Sequence, residues 1–510
     1  MGAEAPVVTH PAVLFVPFPA QGHVTPMLQL ARALAAHGVA ATVAVPDFIH
    51  RRIASAAGVN GGVALASIPS GIVVLDADDG DPPGFGAIVH SMEHHMPAHL
   101  ERLLLARPAV ACVVVDVLAS WAVPVAARCG VPAAGFWPAM LASYRVVAAI
   151  PELIERGLIS ESGTPISSSE PSDDGDDDQD GDPTMRGLKI LPPQVKLRAG
   201  ELPWLVGDSA TQRSRFAFWL QTLHRARDFR WVLVNSFPDE NAADDDAHRL
   251  VAIARHGPHV LPIAPALLPG GDLATAERTK QQQGPCGDKN PSMWRADSTC
   301  IAWLDAQRAG SVVYVSFGSW VGSIGPDKVR ELALGLEATG RPFLWALKRD
   351  PSWRAGLPDG FAARVAGRGK VVDWAPQEDV LRHGAVGCYL THCGWNSTME
   401  AVRHGVPLLC YPVAGDQFIN CAYITGPWGI GLRLGAAMGR EDVRGGIGRV
   451  MGDDEDGGGE GRRLREKVRA LRERVVAAEA RRAADRNVRS FVDDIRRDHH
   501  PLLTQIYSVL

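Results

Sequence analysis

Aromatic residues make up only 6% of the 510-residue chain, and its formal charge is −5, from 52 basic and 57 acidic side chains. It offers neither a basic surface nor a supply of stacking rings, which excludes nucleic acid as a partner. The eight cysteines form no CxxC pair and no framework spacing. They read as reduced thiols in a reducing compartment, not as a disulfide scaffold. Cys388, His392 and Cys393 cluster, but with spacing poor for zinc. No apolar run approaches the length of a membrane crossing. The first residues, MGAEAP, lack the basic-then-apolar order of a secretory leader and the Ser or Thr of a myristoylation motif. No GxGxxG stands between a strand and a helix, which weakens a dinucleotide reading. The expectation is a cytoplasmic monomer without a membrane span, long enough for two domains of ordinary size.

What is present centres on residues 374–417, WAPQEDVLRHGAVGCYLTHCGWNSTMEAVRHGVPLLCYPVAGDQ. Pro376 opens a short helical run that Gly384 stops. Residues 386–390 read as an apolar strand, Trp395, Asn396 and Ser397 lead into a second helix, Gly405 ends it, and residues 407–411 form the next strand. His392 to Ser397 thus falls at the carboxyl end of a strand and the amino end of a helix. In an open α/β sheet ligands bind at that edge, and the helix start favours an anion such as phosphate. Asp416 and Gln417 mark a second strand end, so the ligand is longer than a phosphate. Asn396-Ser397-Thr398 is formally a glycosylation sequon, and its modification would block this edge, which again favours the cytosol.

This stretch resembles the signature box of plant family 1 UDP-sugar-dependent glycosyltransferases. The match includes the opening Trp-Ala-Pro-Gln, the His-Cys-Gly-Trp-Asn-Ser core and the closing Asp-Gln, with the spacing intact. The resemblance implies an α/β fold of the GT-B type, two Rossmann-like doubly wound domains facing across a cleft. It implies that Trp374 stacks on uracil, that Gln377 lies near base and ribose, and that Glu400 accepts hydrogen bonds from the ribose hydroxyls. His392, Asn396, Ser397 and Ser319 would hold the diphosphate, and Trp395, Asp416 and Gln417 the sugar. A final Gln goes with glucose donors in the family, a final His with galactose. The donor would be UDP-glucose as co-substrate, with no cofactor and no metal.

The rest of the chain supports an alternating α/β rhythm. Residues 12–18 read as a buried strand and residues 19–23 as a turn, with Thr25 and Pro26 as N-cap and first position of a helix that Gly38 stops. Residues 39–45 make the next strand. Leu100, Leu103 and Leu104 recur at helical spacing before a strand over 111–115 that Asp116 closes. Residues 167–182 are acidic and of low complexity. Their D-x-D-x-D-G run lacks the closing Glu of a calcium loop, and a solvated loop is expected. Residues 262–298, rich in Gly, Pro, Gln and charge, read as linker and insertion. Beyond them the rhythm restarts with strands at 312–317 and 343–347. Leu464, Val468, Leu471 and Val475 stripe a basic helix, and Val488, Phe491, Val492 and Ile495 a last one. The expected division is an acceptor-binding domain over 1–265 (acidic loop about 160–186), a linker over 266–298, a UDP-sugar domain over 299–485, and a helix over 486–510 that returns to the first domain. The Gly-Gly-Ser-Ser that usually precedes that helix in the family is replaced by Glu479-Ala480-Arg481-Arg482.

Sugar transfer to a hydroxyl needs a base. His23 is the candidate, because histidine as a residue type titrates near neutrality, and a position before a helix start disfavours imidazolium. Asp116, at another strand end of the same sheet, is the candidate orienter. The resemblance implies the same dyad. Phe18, Trp121, Phe136, Trp137 and Met140 either line an acceptor pocket beside His23 or belong to the core. The reading is an inverting UDP-glucosyltransferase acting on a small lipophilic acceptor, of flavonoid, phenylpropanoid, terpenoid or hormone class. A non-catalytic small-molecule binder on the same fold and a nucleotide-dependent oxidoreductase are the alternatives.

Overall fold

The structure is a computed structural model that describes residues 10–54, 62–72, 83–166, 190–192, 194–237, 258–267, 292–452 and 459–507. Residues 167–182 of the acidic segment and 268–291 of the expected linker lie outside the described residues. The chain divides into two compact units. One holds Met1–Leu141, Gln221–Met293 and Val476–Leu510, the other Ala142–Leu220 and Trp294–Val475.

In the first unit β1 (Ala12–Val16), β2 (Ala40–Pro46), β3 (Ala64–Ile68), β4 (Val110–Asp116), β5 (Ala133–Trp137), β6 (Trp231–Val234) and β7 (His259–Pro262) form one sheet in the order β3-β2-β1-β4-β5-β6-β7. Every pairing is parallel. Parallel strands are joined by crossovers whose helices cover the sheet faces, so central strands carry apolar side chains on both sides. β4, VACVVVD, is buried at all seven positions. The chain runs outward from β1 to β3 and then returns past β1 to β4. The β1–β4 boundary is therefore the point where strand order reverses, and loops leaving it diverge to opposite faces.

The second unit repeats the plan. β8 (Val312–Ser316), β9 (Phe343–Ala346), β10 (Gly369–Val372), β11 (Val386–Thr391), β12 (Leu408–Cys410) and β13 (Gly431–Arg433) lie in the order β10-β9-β8-β11-β12-β13, again all parallel. Its order reverses between β8 and β11. Phe343, Trp345, Leu390, Leu409 and Val443 belong to one buried cluster on this sheet. Both units are Rossmann-like.

Four sequence expectations shift in detail. The first helix runs Gln21–Ala36 and contains Pro26, so Thr25 and Pro26 do not start it. Its first turn closes when the Ala20 carbonyl accepts from the N–H groups of His23 and Val24, both at 2.9 Å. A proline withholds its own N–H but leaves the turn before it intact. The run after Pro376 is helical over Gln377–Arg382 and is already extended at His383, ahead of Gly384. Ala142–Leu220, which the sequence assigns to the first domain, clusters with the second unit. There the Arg433 guanidinium meets the nearly buried Glu201 at 2.6 Å. Only Ala477 separates the helix Glu460–Val476 from the last helix, Ala478–Tyr507, in place of a glycine-rich break. That last helix belongs to the first unit, burying Val488, Phe491 and Val492 and accepting a 2.5 Å bond from Trp231 Nε1 on Asp494.

Candidate functional site

β1 and β4 pair with Val16 opposite Val115, so the loops that follow them start side by side. Asp116 is the last residue of β4 and is fully buried. Its Oδ1 accepts from the Leu118 N–H at 2.9 Å, capping a short helical turn. Its Oδ2 lies 2.8 Å from His23 Nδ1. His23 is the third residue of its helix, inside the first turn and not ahead of it. The ring rests against Phe18, centroids 5.1 Å apart, and its side chain is 23% exposed. A carboxylate can only accept, so Nδ1–H is the donor to it, and in the neutral form of the ring Nε2 is the nitrogen left with the lone pair. The sequence-predicted pair is brought together, with the basic nitrogen on the side away from the buried acid.

In the second unit the corresponding loops leave β8 and β11, whose last paired residues are Ser316 and Thr391. Ser319 follows the first and is half-buried, while His392 follows the second and is buried. The His392 ring sits between two glycines. A Cβ on Gly318 would stand 2.6 Å from Nε2, and one on Gly394 2.4 Å from the same atom. Gly318 also has φ +72, which only glycine takes readily. Burial, aided by the charge of Lys348, lowers the His392 pKa to about 4, so the ring is neutral at physiological pH. His392 Nδ1 is buried with no hydrogen-bond partner among the described residues. A polar atom in that state is one a ligand can satisfy.

Cys393 next to it holds a left-handed backbone, φ 65, rare for a residue with a side chain. Two bonds fix it there. Its N–H donates to Thr391 Oγ1 at 3.2 Å, and its carbonyl accepts from Asn420 Nδ2 at 3.0 Å. This twist delivers Gly394 as N-cap of the helix Trp395–His404, without any side-chain cap bond. A helix start of that kind, with its dipole, suits an anion. Trp395 and Ser397 are buried and Asn396 half-buried in the first turn, and the Trp395 ring lies 6.3 Å from that of Trp428.

Gln377 and Glu400 come together from different elements. Gln377 Nε2 donates to Glu400 Oε2 at 2.8 Å and to Ser397 Oγ at 2.9 Å. Burial first, and the charge of Glu378 second, raise the Glu400 carboxyl to about 7. Trp374 is half-buried with its ring 5.6 Å from Trp294. Asp416 is N-cap of the helix Gln417–Thr425 and accepts from Asn420 Nδ2 at 2.9 Å. Gln417 Oε1 accepts from the N–H groups of Val413 and Ala414 at 2.9 and 3.0 Å, which turns its Nε2 the other way.

Phe18, Trp121, Phe136, Trp137 and Met140 are all buried, and Trp137 Nε1 donates to the Met140 carbonyl at 3.1 Å. Of these Phe18 touches His23. The Cys393, Cys410 and Cys421 sulfurs lie within 4.8 Å of one another, all buried. Closed zinc sites take four ligands, so these three sulfurs are one short of such a site.

The sequence reading missed Tyr314, Tyr389, Gly318, Lys348 and Asn420. Asn420 was within reach, since it lies four residues after Asp416 on one helix face. The others depend on strand register. Among the described residues no helix is long and apolar enough to cross a membrane.

Comparison with known proteins agrees with this fold. The profile of the UDP-glucoronosyl and UDP-glucosyl transferase family matches residues 294–456. UDP-glycosyltransferase 82A1 of Arabidopsis thaliana is 45% identical over 94% of this chain and 98% of its own length. The crystal structure of Os79 from O. sativa in complex with UDP superimposes with a TM-score of 0.72 at 26% identity, covering 95% of this chain and all of that one. The Phytolacca americana UGT2 structure, complexed with UDP-2-fluoro-glucose and pterostilbene, gives 0.70 at 25% identity, covering 95% of this chain and 100% of its own. With two Rossmann-like sheets, a His–Asp pair at one reversal point and the complete signature box at the other, the chain belongs to the plant family 1 UDP-glycosyltransferases and is an enzyme of the GT-B fold that uses a UDP-sugar donor.

Proposed function

We propose that the enzyme transfers glucose from UDP-glucose to a hydroxyl of a small lipophilic acceptor, with inversion at the anomeric carbon. Flavonoids, phenylpropanoids, terpenoids and hormones are the acceptor classes to test. The observation that carries the mechanism is the 2.8 Å contact of His23 Nδ1 with the fully buried Asp116. His23 Nε2 takes the acceptor proton as the acceptor oxygen bonds to the anomeric carbon and the bond from that carbon to the UDP oxygen breaks. Asp116 holds the tautomer and stabilises the imidazolium that forms. One displacement by one nucleophile inverts the centre.

Donor binding is assigned to the second unit. Trp374 offers a flat face to uracil, and Glu400 accepts from the ribose diol. His392, Asn396, Ser397 and Ser319 hold the diphosphate at the helix start, and Trp395, Asp416 and Gln417 meet the sugar. The oriented Gln417 amide supports a glucose donor, as does the UDP-2-fluoro-glucose bound by the Phytolacca americana enzyme. The pterostilbene in the same complex supports a lipophilic phenol as acceptor. No divalent ion is required in this scheme, because the helix start and side chains meet the diphosphate charge. Seven free cysteines among the described residues support a cytoplasmic location, and the working form is a monomer.

The test is turnover of His23→Ala with UDP-glucose, with and without chelator, on one acidic phenol and one weakly acidic alcohol. UDP affinity is measured in parallel. A loss on the order of 10²–10⁴-fold on the alcohol, a smaller loss on the phenol and unchanged UDP binding are expected. Near-normal turnover of the alcohol by His23→Ala refutes the base.

A further inference from the structure

β8 and β11 place Tyr314 opposite Tyr389 in register. The two rings are fully buried and stacked, with centroids 4.9 Å apart and planes 27° from parallel. Both hydroxyls reach the same atom: Tyr314 O–H donates to Gln377 Oε1 at 3.2 Å and Tyr389 O–H at 3.1 Å. Burial raises both phenols, Tyr389 to about 12 and Tyr314 well above its ordinary value, so both keep their protons at any working pH. On its other side the Gln377 carboxamide donates both N–H bonds, to Ser397 Oγ and Glu400 Oε2.

A carboxamide has two acceptor sites and two donors. All four are taken within the protein, so Gln377 has no hydrogen bond left for base or ribose in this arrangement. Its oxygen and nitrogen are also not interchangeable here. With both O–H groups donating to the oxygen, the N–H groups face Glu400, whose carboxylate when ionised can only accept and so favours the same orientation. Turned over, the amide would set Oε1 against Glu400 Oε2 and its N–H groups against the tyrosine hydroxyls.

We propose that Tyr314 and Tyr389 are positioning residues of the donor site, which lock the Gln377 amide so that it holds the Glu400 carboxylate in the orientation that receives the ribose diol of the UDP-sugar. The inference rests on the reading of Glu400 as the ribose acceptor. Gln377 then acts through Glu400, and its contribution to the nucleotide is indirect. Removing one hydroxyl leaves the amide one donor. Removing both leaves Oε1 without either O–H donor and the amide held only from its Ser397 and Glu400 side.

The test compares binding of UDP and 2′-deoxy-UDP to the full-length protein and to Tyr314→Phe, Tyr389→Phe, the double variant and Glu400→Ala. The ring is kept in each phenylalanine variant, and thermal midpoints verify folding. If the proposal holds, the wild-type protein prefers UDP and Glu400→Ala abolishes that preference. The double phenylalanine variant loses roughly tenfold in UDP affinity, each single variant less, and 2′-deoxy-UDP binding changes far less. The KM for the UDP-sugar rises accordingly while kcat stays near its wild-type value. Should Glu400→Ala abolish the preference while the phenylalanine variants keep it, the positioning role is wrong and the ribose reading stands. Equal losses for both nucleotides in the phenylalanine variants make the tyrosines structural and also overturn the proposal. If Glu400→Ala keeps the wild-type preference, the ribose reading itself fails, and the proposal with it.

Discussion

Replacing Glu400 by glutamine should make the protein more stable at high pH and change little at low pH. Burial and Glu378 raise the Glu400 carboxyl from 4.5 to about 7. The group is half-buried with Oε2 already accepting from Gln377, and Arg403 only partly offsets the shift. Between these two values the folded protein holds a proton that the unfolded chain has released, so stability falls as pH rises through the window. From 4.5 to about 7, at about 1.4 kcal/mol per pH unit, this amounts to ~3.5 kcal/mol. Of this, about 2 kcal/mol falls between roughly pH 5.5 and pH 8.5. Glutamine keeps the shape and one acceptor for Gln377 Nε2 but cannot ionise. His392 works in the opposite direction. Its pKa of about 4 lies below the ordinary 6.5, so its contribution is lost as pH falls through that range. That term is common to both proteins and cancels in their difference. The assay is chemical denaturation of both proteins at each pH. Glu400→Gln should gain about 2 kcal/mol on wild type at the higher pH relative to the lower. A difference that is the same at both pH values, or larger at the lower one, refutes the argument.

Asp116→Asn keeps the cap on Leu118 N–H but presents an N–H to His23 Nδ1, which moves the imidazole proton to Nε2; turnover of alcohols should drop on the order of 10²–10⁴-fold with UDP affinity unchanged. Gly394→Ala puts a methyl 2.4 Å from His392 Nε2 without backbone strain, whereas Gly318→Ala adds a φ of +72 to a 2.6 Å contact. Both should weaken UDP binding measured by calorimetry, and Gly318→Ala should also lower the thermal midpoint, by about 1–2 kcal/mol more in stability. Gln417→His replaces an oxygen that accepts from two backbone N–H groups, so turnover with UDP-glucose should fall, and the ratio of UDP-galactose to UDP-glucose turnover should rise in a competition assay.

Elements whose signal is local were legible in the sequence. The strand over Val386–Thr391, the helix Trp395–His404 with Gly405 in the left-handed conformation (φ 69), and the buried stripe Leu464, Val468, Leu471 and Val475 all follow from spacing and punctuation. His23 and Asp116 were identifiable as residue types at strand ends, but their adjacency, which depends on strand order, came only from the family resemblance. Pro26 misled for a local reason: proline is common at the first helical position, and nothing in the sequence shows that the Ala20 carbonyl already starts the turn earlier. The tyrosine pair was hidden because each residue reads as one more apolar position of a buried strand. Its meaning appears only when register sets one ring on the other below Gln377. The placement of Ala142–Leu220 with the second unit rests on tertiary contacts such as Arg433 with Glu201, which no periodicity encodes.

The β1–β4 boundary has a consequence for how such an enzyme changes over evolutionary time. His23 and Asp116 are 93 positions apart in the chain, yet the pairing of Val16 with Val115 alone determines where their loops begin. Lengthening or replacing the connections through β2 and β3 leaves that pairing untouched. Segments that travel around the edge of the sheet are thus free to diversify, while the His23–Asp116 contact stays anchored to two adjacent central strands. The geometry of the pair and the length of chain between its members are in this way separable inheritances within one unit.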